Sequence, residues 1–376
     1  MTLRIVHVIH CCSSGGAEVL AKNIIKNIKK INNEVEIELW SIYKADVLFG
    51  GDKRAIEFEQ NFVKELNDAG INVRFINKQK NILSKIDVML KINKNYKKFR
   101  PDLIHCHLES VTFHTVNSLL FRNVKIVETI HNTKLNHPKL HQYYLNHRLN
   151  KIISISKKVS KVIKHDLKAK DDKIKLIYNG VEMDKFKDVN IYEKDVNTML
   201  AVGRLTNQKD HMTLLKAFKK MKDMCICNNM YIPKLNIIGD GELKKELLDY
   251  VKRENLIEVN FVGVVKDVEN YLKSSQVYIM SSIYEGLSLS LIEASVSGIS
   301  VICTDVGSND EIINDSVNGI IVESRDYEMM AEYMFKLIED EELRIKLRKN
   351  YKKSITKFGI VECSKSHIDL YKTIIK

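Results

Sequence analysis

The chain of 376 residues is poor in proline, with three, holds one tryptophan, and has seven cysteines. So few prolines and no low-complexity stretch exclude a long disordered tail. The cysteines are Cys11, Cys12, Cys106, Cys225, Cys227, Cys303 and Cys363. They are odd in number and form no pair of CxxC units, which argues against a disulfide framework or zinc site and fits reduced thiols in a cytoplasm. No run approaches the roughly 18–20 apolar residues of a membrane span. The first ten residues form a short apolar run broken by Arg4 and His7. They lack a signal-peptide core and are expected to be a first strand. No Asp-x-Asp occurs anywhere, so a divalent metal held by such a pair to a nucleotide diphosphate has no candidate ligands.

What is present is a globular composition, 44% hydrophobic and 29% charged, at a length that suggests two domains. Net charge is +12 but unevenly spread. Residues 1–178 carry 32 basic against 17 acidic side chains, and residues 179–376 carry 28 against 31. The positive field of the first half suits an anionic partner such as a membrane surface, although abundant lysine alone also produces it. Nucleic acid is disfavoured, because the charge lacks an aromatic platform.

Apolar runs alternate with amphipathic stretches from end to end. Strands are expected at Leu3–Ile9, Val35–Ile42, Ile71–Ile76, Asp102–Cys106, Val124–Thr129 and Lys151–Ile155. A second series follows at Thr198–Gly203, Leu235–Gly239, Val259–Val262, Val277–Met280, Ile299–Cys303 and Ile320–Val322. Helical patterns such as Ala17–Lys30 and Ile56–Ala69 lie between. Alternation of this kind implies parallel sheets with helices on both faces. Twelve strands divide more naturally into two doubly wound sheets than one. The expected domains are 1–178 and 179–359, with the turn Asn179-Gly180 at the boundary and a final helix at about 360–376. Ligands of such sheets bind beyond the carboxyl ends of the strands, which in two domains suggests the cleft between them.

The richest stretch is Ser282-Ile283-Tyr284-Glu285-Gly286-Leu287-Ser288-Leu289-Ser290-Leu291-Ile292-Glu293. It reads as strand end, turn and helix start. Gly286 permits close approach of a ligand to the backbone, and Ser288 or Ser290 is placed to cap the helix. A helix start offers unpaired N–H groups to phosphate. Glu285 and Glu293 bracket it, and carboxylates beside a phosphate site are tolerated when sugar or ribose hydroxyls donate to them. Gly203-Arg204 and Lys209 follow the first strand of the second half, where Arg and Lys suit a diphosphate. In the first half, Gly15-Gly16 opens a helix after the first strand. His131 stands just past a strand end, where an imidazole can hydrogen-bond or move a proton.

Other patterns weigh less. Gly239-Asp240-Gly241 begins like a dinucleotide fingerprint, but Lys244 stands where the third glycine belongs, which disfavours an oxidoreductase. His105 and His107 alternate on one side of a strand. With no third ligand obvious nearby, buried or cleft-lining histidines are expected rather than a metal pair. Lys85–Arg100 reads as a basic helix whose apolar residues pack on the core, with membrane-surface contact the alternative.

Taken in order, these pieces resemble the retaining glycosyltransferases of the GT-B type, glycosyltransferase family 4. The matching stretches are Gly15-Gly16-Ala17-Glu18, Thr129-Ile130-His131, Ile177-Tyr178-Asn179-Gly180-Val181-Glu182 with Phe186, Val202-Gly203-Arg204-Leu205 with Lys209, Gly239-Asp240-Gly241, and above all Glu285 through Glu293. Two departures stand out. Gly307-Ser308 replaces a common Gly-Gly before Glu311, and Glu182 replaces the usual Asp. The resemblance implies the GT-B fold, an acceptor-binding first domain and a donor-binding second, with the last helix crossing back onto the first. It implies catalytic roles for His131, Glu285, Arg204 and Lys209. Donor binding would fall to Gly15, Gly16, Gly203, Gly286, Leu287, Ser288 and Glu293. No metal and no cofactor are implied beyond a UDP- or GDP-sugar co-substrate. The expected reaction is transfer, with retention, to a lipid-linked glycan at the inner face of the cytoplasmic membrane during capsule, O-antigen or exopolysaccharide assembly. A UDP-sugar epimerase on the same fold and a non-catalytic glycosyltransferase-like subunit are the alternatives.

Overall fold

A computed structural model describes residues 2–78, 84–186, 197–350 and 355–375. The chain forms two compact units, Met1–Val181 with Phe358–Lys376, and Glu182–Lys357.

The first unit is built on seven parallel strands. These are β1 (Arg4–Cys11), β2 (Glu36–Tyr43), β3 (Asn72–Phe75), β4 (Leu103–His107), β5 (Lys125–Ile130), β6 (Lys151–Ser154) and β7 (Ile174–Leu176), in the order β3-β2-β1-β4-β5-β6-β7. The second has six, β8 (Thr198–Val202), β9 (Lys234–Ile238), β10 (Val259–Gly263), β11 (Val277–Met280), β12 (Ser300–Thr304) and β13 (Ile320–Val322), in the order β10-β9-β8-β11-β12-β13. All ladder pairs are parallel. Each sheet therefore winds outward in both directions from its first strand, and its order reverses beside that strand. The reversal opens the crevice at the carboxyl ends where ligands of such sheets sit.

Each of the twelve stretches expected as strands overlaps one. β7 is the addition. Its Ile174-Lys175-Leu176 is short, lies at a sheet edge and is only half-buried, so its hydrophobic signal is weak. The central strands are covered on both faces, as parallel sheets require. β4, β11 and β12 are buried at every residue. In the first unit Ile5, Ile9, Ile24, Ile25, Trp40 and Phe62 are fully buried. In the second, Met199, Ala201, Leu214, Phe218, Ile237, Ile279 and Met334 belong to one core cluster.

The last helix, Ile360–Ile375, belongs to the first unit and packs along Gly16–Ile31. Gly180 makes its entry possible: a Cβ there would stand 2.6 Å from Ile360 Cα. Val181 and Gly359 form a parallel bridge beside it. The basic stretch forms the helix Ser84–Phe99, with Val88 and Ile92 buried. No helix among the described residues is long and apolar enough to cross a membrane.

Candidate functional site

The second unit gathers most of the expected residues at the carboxyl ends of β8 and β11, which are neighbours in the sheet. The loop after β8 carries Gly203, exposed Arg204 and half-buried Lys209. A Cβ on Gly203 would lie 3.2 Å from Lys209 Cδ, so the glycine leaves room for the lysine to fold back across it. Gly239, at φ +143°, closes the loop from below, where a Cβ would stand 1.9 Å from Gly203 O. That contact explains the Gly239-Asp240-Gly241 pattern without a dinucleotide.

Lys209 Nζ meets Glu285 Oε1 at 2.5 Å, with both side chains largely buried. Ser282 Oγ donates to the same carboxylate oxygen at 2.7 Å. The two loops are stitched by backbone as well. Ile283 N donates to Gln208 O at 2.8 Å, Gln208 Nε2 to Tyr284 O at 3.0 Å, and Ser281 Oγ to Lys209 O at 3.0 Å. Arg204 Nη2 reaches Gln208 Oε1 at 3.4 Å. A buried ion pair braced by hydrogen bonds keeps both charges aimed, which is what an electrostatic site needs before a ligand arrives.

Gly286, Leu287 and Ser288 are buried and lead into the helix Leu289–Ser297. Ser288 is its N-cap, accepting from Leu291 N at 3.4 Å, while Ser290 instead accepts from the Tyr278 hydroxyl at 2.8 Å. Ser308, the departure from the Gly-Gly pattern, is fully buried and donates its N–H to Gly286 O at 3.1 Å. The preceding Gly307 has φ +57°, and a Cβ there would stand 2.4 Å from Glu285 O. The loop after β12 thus buttresses the Glu285 turn from behind. Glu293 lies about one turn into the helix Leu289–Ser297. Burial, then the nearby charge of Glu269, push its carboxyl up to about 8, with Lys185 opposing. His211, beside Lys209 in sequence, is buried and pushed down to about 4 by burial and by Lys209.

The first unit holds the remaining residues. Gly15 caps Gly16–Ile31, with Gly16 exposed at the helix start. A Cβ on Gly15 would be 2.3 Å from Glu18 Oε2, so the glutamate of the Gly-Gly-Ala-Glu stretch folds back over its own glycine. His131 follows β5, pushed down to about 4 by burial and then by His367. The expectation that His105 and His107 lack a third partner is corrected. Parallel register sets His7 of β1 opposite His105 of β4, and His7 Nδ1 lies 3.0 Å from His107 Nε2. Sequence reasoning gave no role to Ser282 or Gln208, and it named Gly307 only as the glycine kept before Ser308.

The sequence model of the glycosyl transferases group 1 matches residues 182–354, and that of Glycosyltransferase Family 4 matches residues 14–185. Among curated relatives is a UDP-Gal:alpha-D-GlcNAc-diphosphoundecaprenol alpha-1,3-galactosyltransferase of Escherichia coli. It is 25% identical, over 75% of this chain and 78% of that protein. Another is the capsular polysaccharide biosynthesis glycosyltransferase CapM of Staphylococcus aureus, 26% identical over 78% of this chain and 83% of that one. Among solved structures, HepE of Anabaena in complex with UDP and glucose superposes with a TM-score of 0.81. It covers 99% of this chain and 100% of its own at 16% identity, a likeness of fold.

Proposed function

Because this chain belongs to the GT-B glycosyltransferases of the group 1/family 4 type, we propose that it moves a sugar, with retention, from a nucleotide-sugar to a lipid-linked glycan in bacterial surface polysaccharide assembly. The observation that carries the reading is the Lys209–Glu285 pair, set beside the capped start of Leu289–Ser297. A fixed cation and a helix start together make a diphosphate site. An ammonium has three donors, so Lys209 can keep Glu285 and still reach a phosphate oxygen, with Arg204 alongside.

The reaction breaks the bond between the donor's anomeric carbon and its phosphate oxygen. The acceptor hydroxyl oxygen bonds to that carbon from the same face, and its proton passes to the departing phosphate oxygen. Negative charge grows on the diphosphate, so Arg204 and Lys209 act chiefly on the transition state. Glu285, braced by Ser282, receives hydroxyls of the donor sugar, and Glu293 those of the ribose. His131, Gly15 and Gly16 keep the donor roles that the family pattern assigns them. Neither a metal nor a separate general base is part of this scheme. UDP-linked galactose and an undecaprenyl diphosphate acceptor are named for the Escherichia coli relative; we take the same classes of donor and acceptor here.

The test is turnover of UDP- and GDP-sugars with a polyprenyl-diphosphate-linked glycan, in EDTA, with anomeric configuration read by NMR. A retained-configuration product supports the reading. Donor isomerisation without acceptor would mean an epimerase, and binding without turnover a non-catalytic subunit. Surface contact with the membrane is part of the proposal. The helix Ser84–Phe99 has five lysines against one aspartate, yet exposes Ile86, Met89 and Leu90, the last by 66%. Arg122, hydrogen-bonded to Asn93, holds the adjoining turn, where Phe121 is 98% exposed. Apolar side chains among lysines suit an anionic bilayer. Reversing Lys91, Lys94 and Lys97 to Glu should abolish sedimentation with anionic liposomes, and unchanged sedimentation would remove this part.

A further inference from the structure

The first unit contains a buried chain of imidazoles that the proposed chemistry does not use directly. Thr129 Oγ1 lies 2.7 Å from His105 Nε2, and His105 Nδ1 lies 2.6 Å from the Tyr371 hydroxyl. The same hydroxyl is 3.4 Å from His7 Nε2, and His7 Nδ1 is 3.0 Å from His107 Nε2. The chain thus runs from β5 through β4, the last helix and β1 back to β4. Every member is at most 3% exposed. Burial, reinforced by the neighbouring rings, holds His7, His105 and His107 well below the usual imidazole range, so all three are neutral.

A neutral imidazole has one donor and one acceptor nitrogen. A proton placed on one imidazole nitrogen therefore sets what its partner must offer, and Tyr371, whose hydroxyl donates once and can also accept, links His105 to His7. The chain ends at His107 Nδ1. That atom is buried with no hydrogen-bond partner among the described residues, and the same holds for His131 Nε2. The two rings are inclined at 29°, with centroids 5.9 Å apart. Both line a cavity of about 10 Å³ open to a water's centre, together with Thr129, Asn179 and His367. That is room for one water molecule.

We propose that this cavity binds one structural water joining His107 Nδ1 to His131 Nε2, so that the tautomer of His131 is coupled to the chain from Thr129 to His107. His7, His105, His107 and Tyr371 are then positioning residues acting through His131. A metal is the competing use of such a cluster, since ligand nitrogens of His7, His105 and His107 lie within 4.8 Å of one another. Both nitrogens of His7 and of His105 are already hydrogen-bonded, however, and an ion would have to displace Tyr371 and Thr129. Unpartnered nitrogens facing a cavity call for a water, not an ion.

The test is nitrogen-15 NMR of the imidazoles in the full-length protein without donor. A tautomer population at His131 that shifts in both His107→Phe and Tyr371→Phe supports the proposal. A population at His131 that is unchanged in both variants overturns it. Should His107→Phe fail to fold, Tyr371→Phe and a high-resolution crystal structure of the native protein decide, a dry cavity being fatal. The consequence for rate rests on the assignment of His131 to the donor sugar. If that assignment holds, the variants lose roughly tenfold in kcat with little change in donor KM, as misaimed contacts do. A shifted tautomer population with kcat intact leaves the water site standing and overturns the role of His131.

Discussion

The two sheets share one winding order, yet load the same positions with opposite chemistry. Around β1, β4 and β5 the first unit places neutral imidazoles that bond to one another. At the ends of β8 and β11 the second places full charges, Lys209 against Glu285, with Arg204 on the same loop as Lys209. Burial explains both outcomes. It keeps protons off the histidines, and it tolerates the Lys209–Glu285 pair only because each charge neutralises the other and Ser282 adds a hydrogen bond. The common scaffold supplies crevices, and the residues at the strand ends decide what each can do.

The largest effect that would sharpen this contrast is on the ion pair. Lys209→Ala should lower kcat/KM by about 100- to 1000-fold, the loss typical of one transition-state donor. It should also lower stability by about 3 kcal/mol, because Glu285 stays buried without its cation. Adding Glu285→Gln should restore the melting temperature but not turnover. Activity within threefold of native in the single variant would remove Lys209 from the chemistry.

Next is acid sensitivity. His7, His131 and His367 are pushed to about 3, 4 and 4, and His105 and His107 also lie well below 6.5. Between about pH 4 and 6.5 the unfolded chain binds protons that the folded one refuses. Stability therefore falls as pH falls through that window, by up to about 1.4 kcal/mol per unit for each histidine. Urea titrations at pH 7, 6 and 5 should show it, and His107→Phe should flatten the slope by about one proton. An equal slope in that variant would mean His107 is not held neutral.

Glu293 has the opposite sign. Its folded value of about 8 lies above the ordinary 4.5, so the native state keeps a proton that the unfolded state has lost. Its contribution to stability declines as pH rises between those values. Hydroxyls of a bound ribose favour the carboxylate, so nucleotide binding should expel the proton and tighten from pH 6 to 8, by at most about tenfold per unit. Calorimetry in buffers of different ionisation enthalpy measures the release. Glu293→Gln should bind with no such dependence, and a pH-independent native protein would end the ribose assignment.

The sequence exposed what is local. Apolar runs marked the strands, and Glu285, Gly286 and Ser288 lie in one short stretch whose spacing already implies strand, turn and helix. Pairings were hidden because they depend on which strands become neighbours. Lys209 and Glu285 are 76 residues apart and meet only because β8 lies beside β11. His7 and His107 are 100 apart, and Tyr371 reaches His7 across 364. For the same reason His105 and His107 looked like a pair lacking a third member, which register on β1 supplies. β7 was invisible for another reason, since three residues at an edge carry too little burial to leave a pattern.

The smallest prediction compares one serine cap in each unit. Ser156 caps Lys157–Asp166 in the first, its Oγ accepting from Val159 N at 3.1 Å. Ser288 caps Leu289–Ser297 in the second over the longer 3.4 Å. Loss of such a cap costs about 1 kcal/mol, and the longer bond should cost less. Ser156→Ala should therefore reduce stability more than Ser288→Ala. Only Ser288→Ala should also weaken nucleotide binding, by a few-fold, because its helix start is the one facing phosphate in the proposed site. Melting curves and nucleotide titrations of the two variants separate a purely structural cap from one that also shapes a ligand site. If Ser288→Ala leaves affinity unchanged, the Leu289–Ser297 helix start contributes nothing to the diphosphate, and the cations alone must hold it.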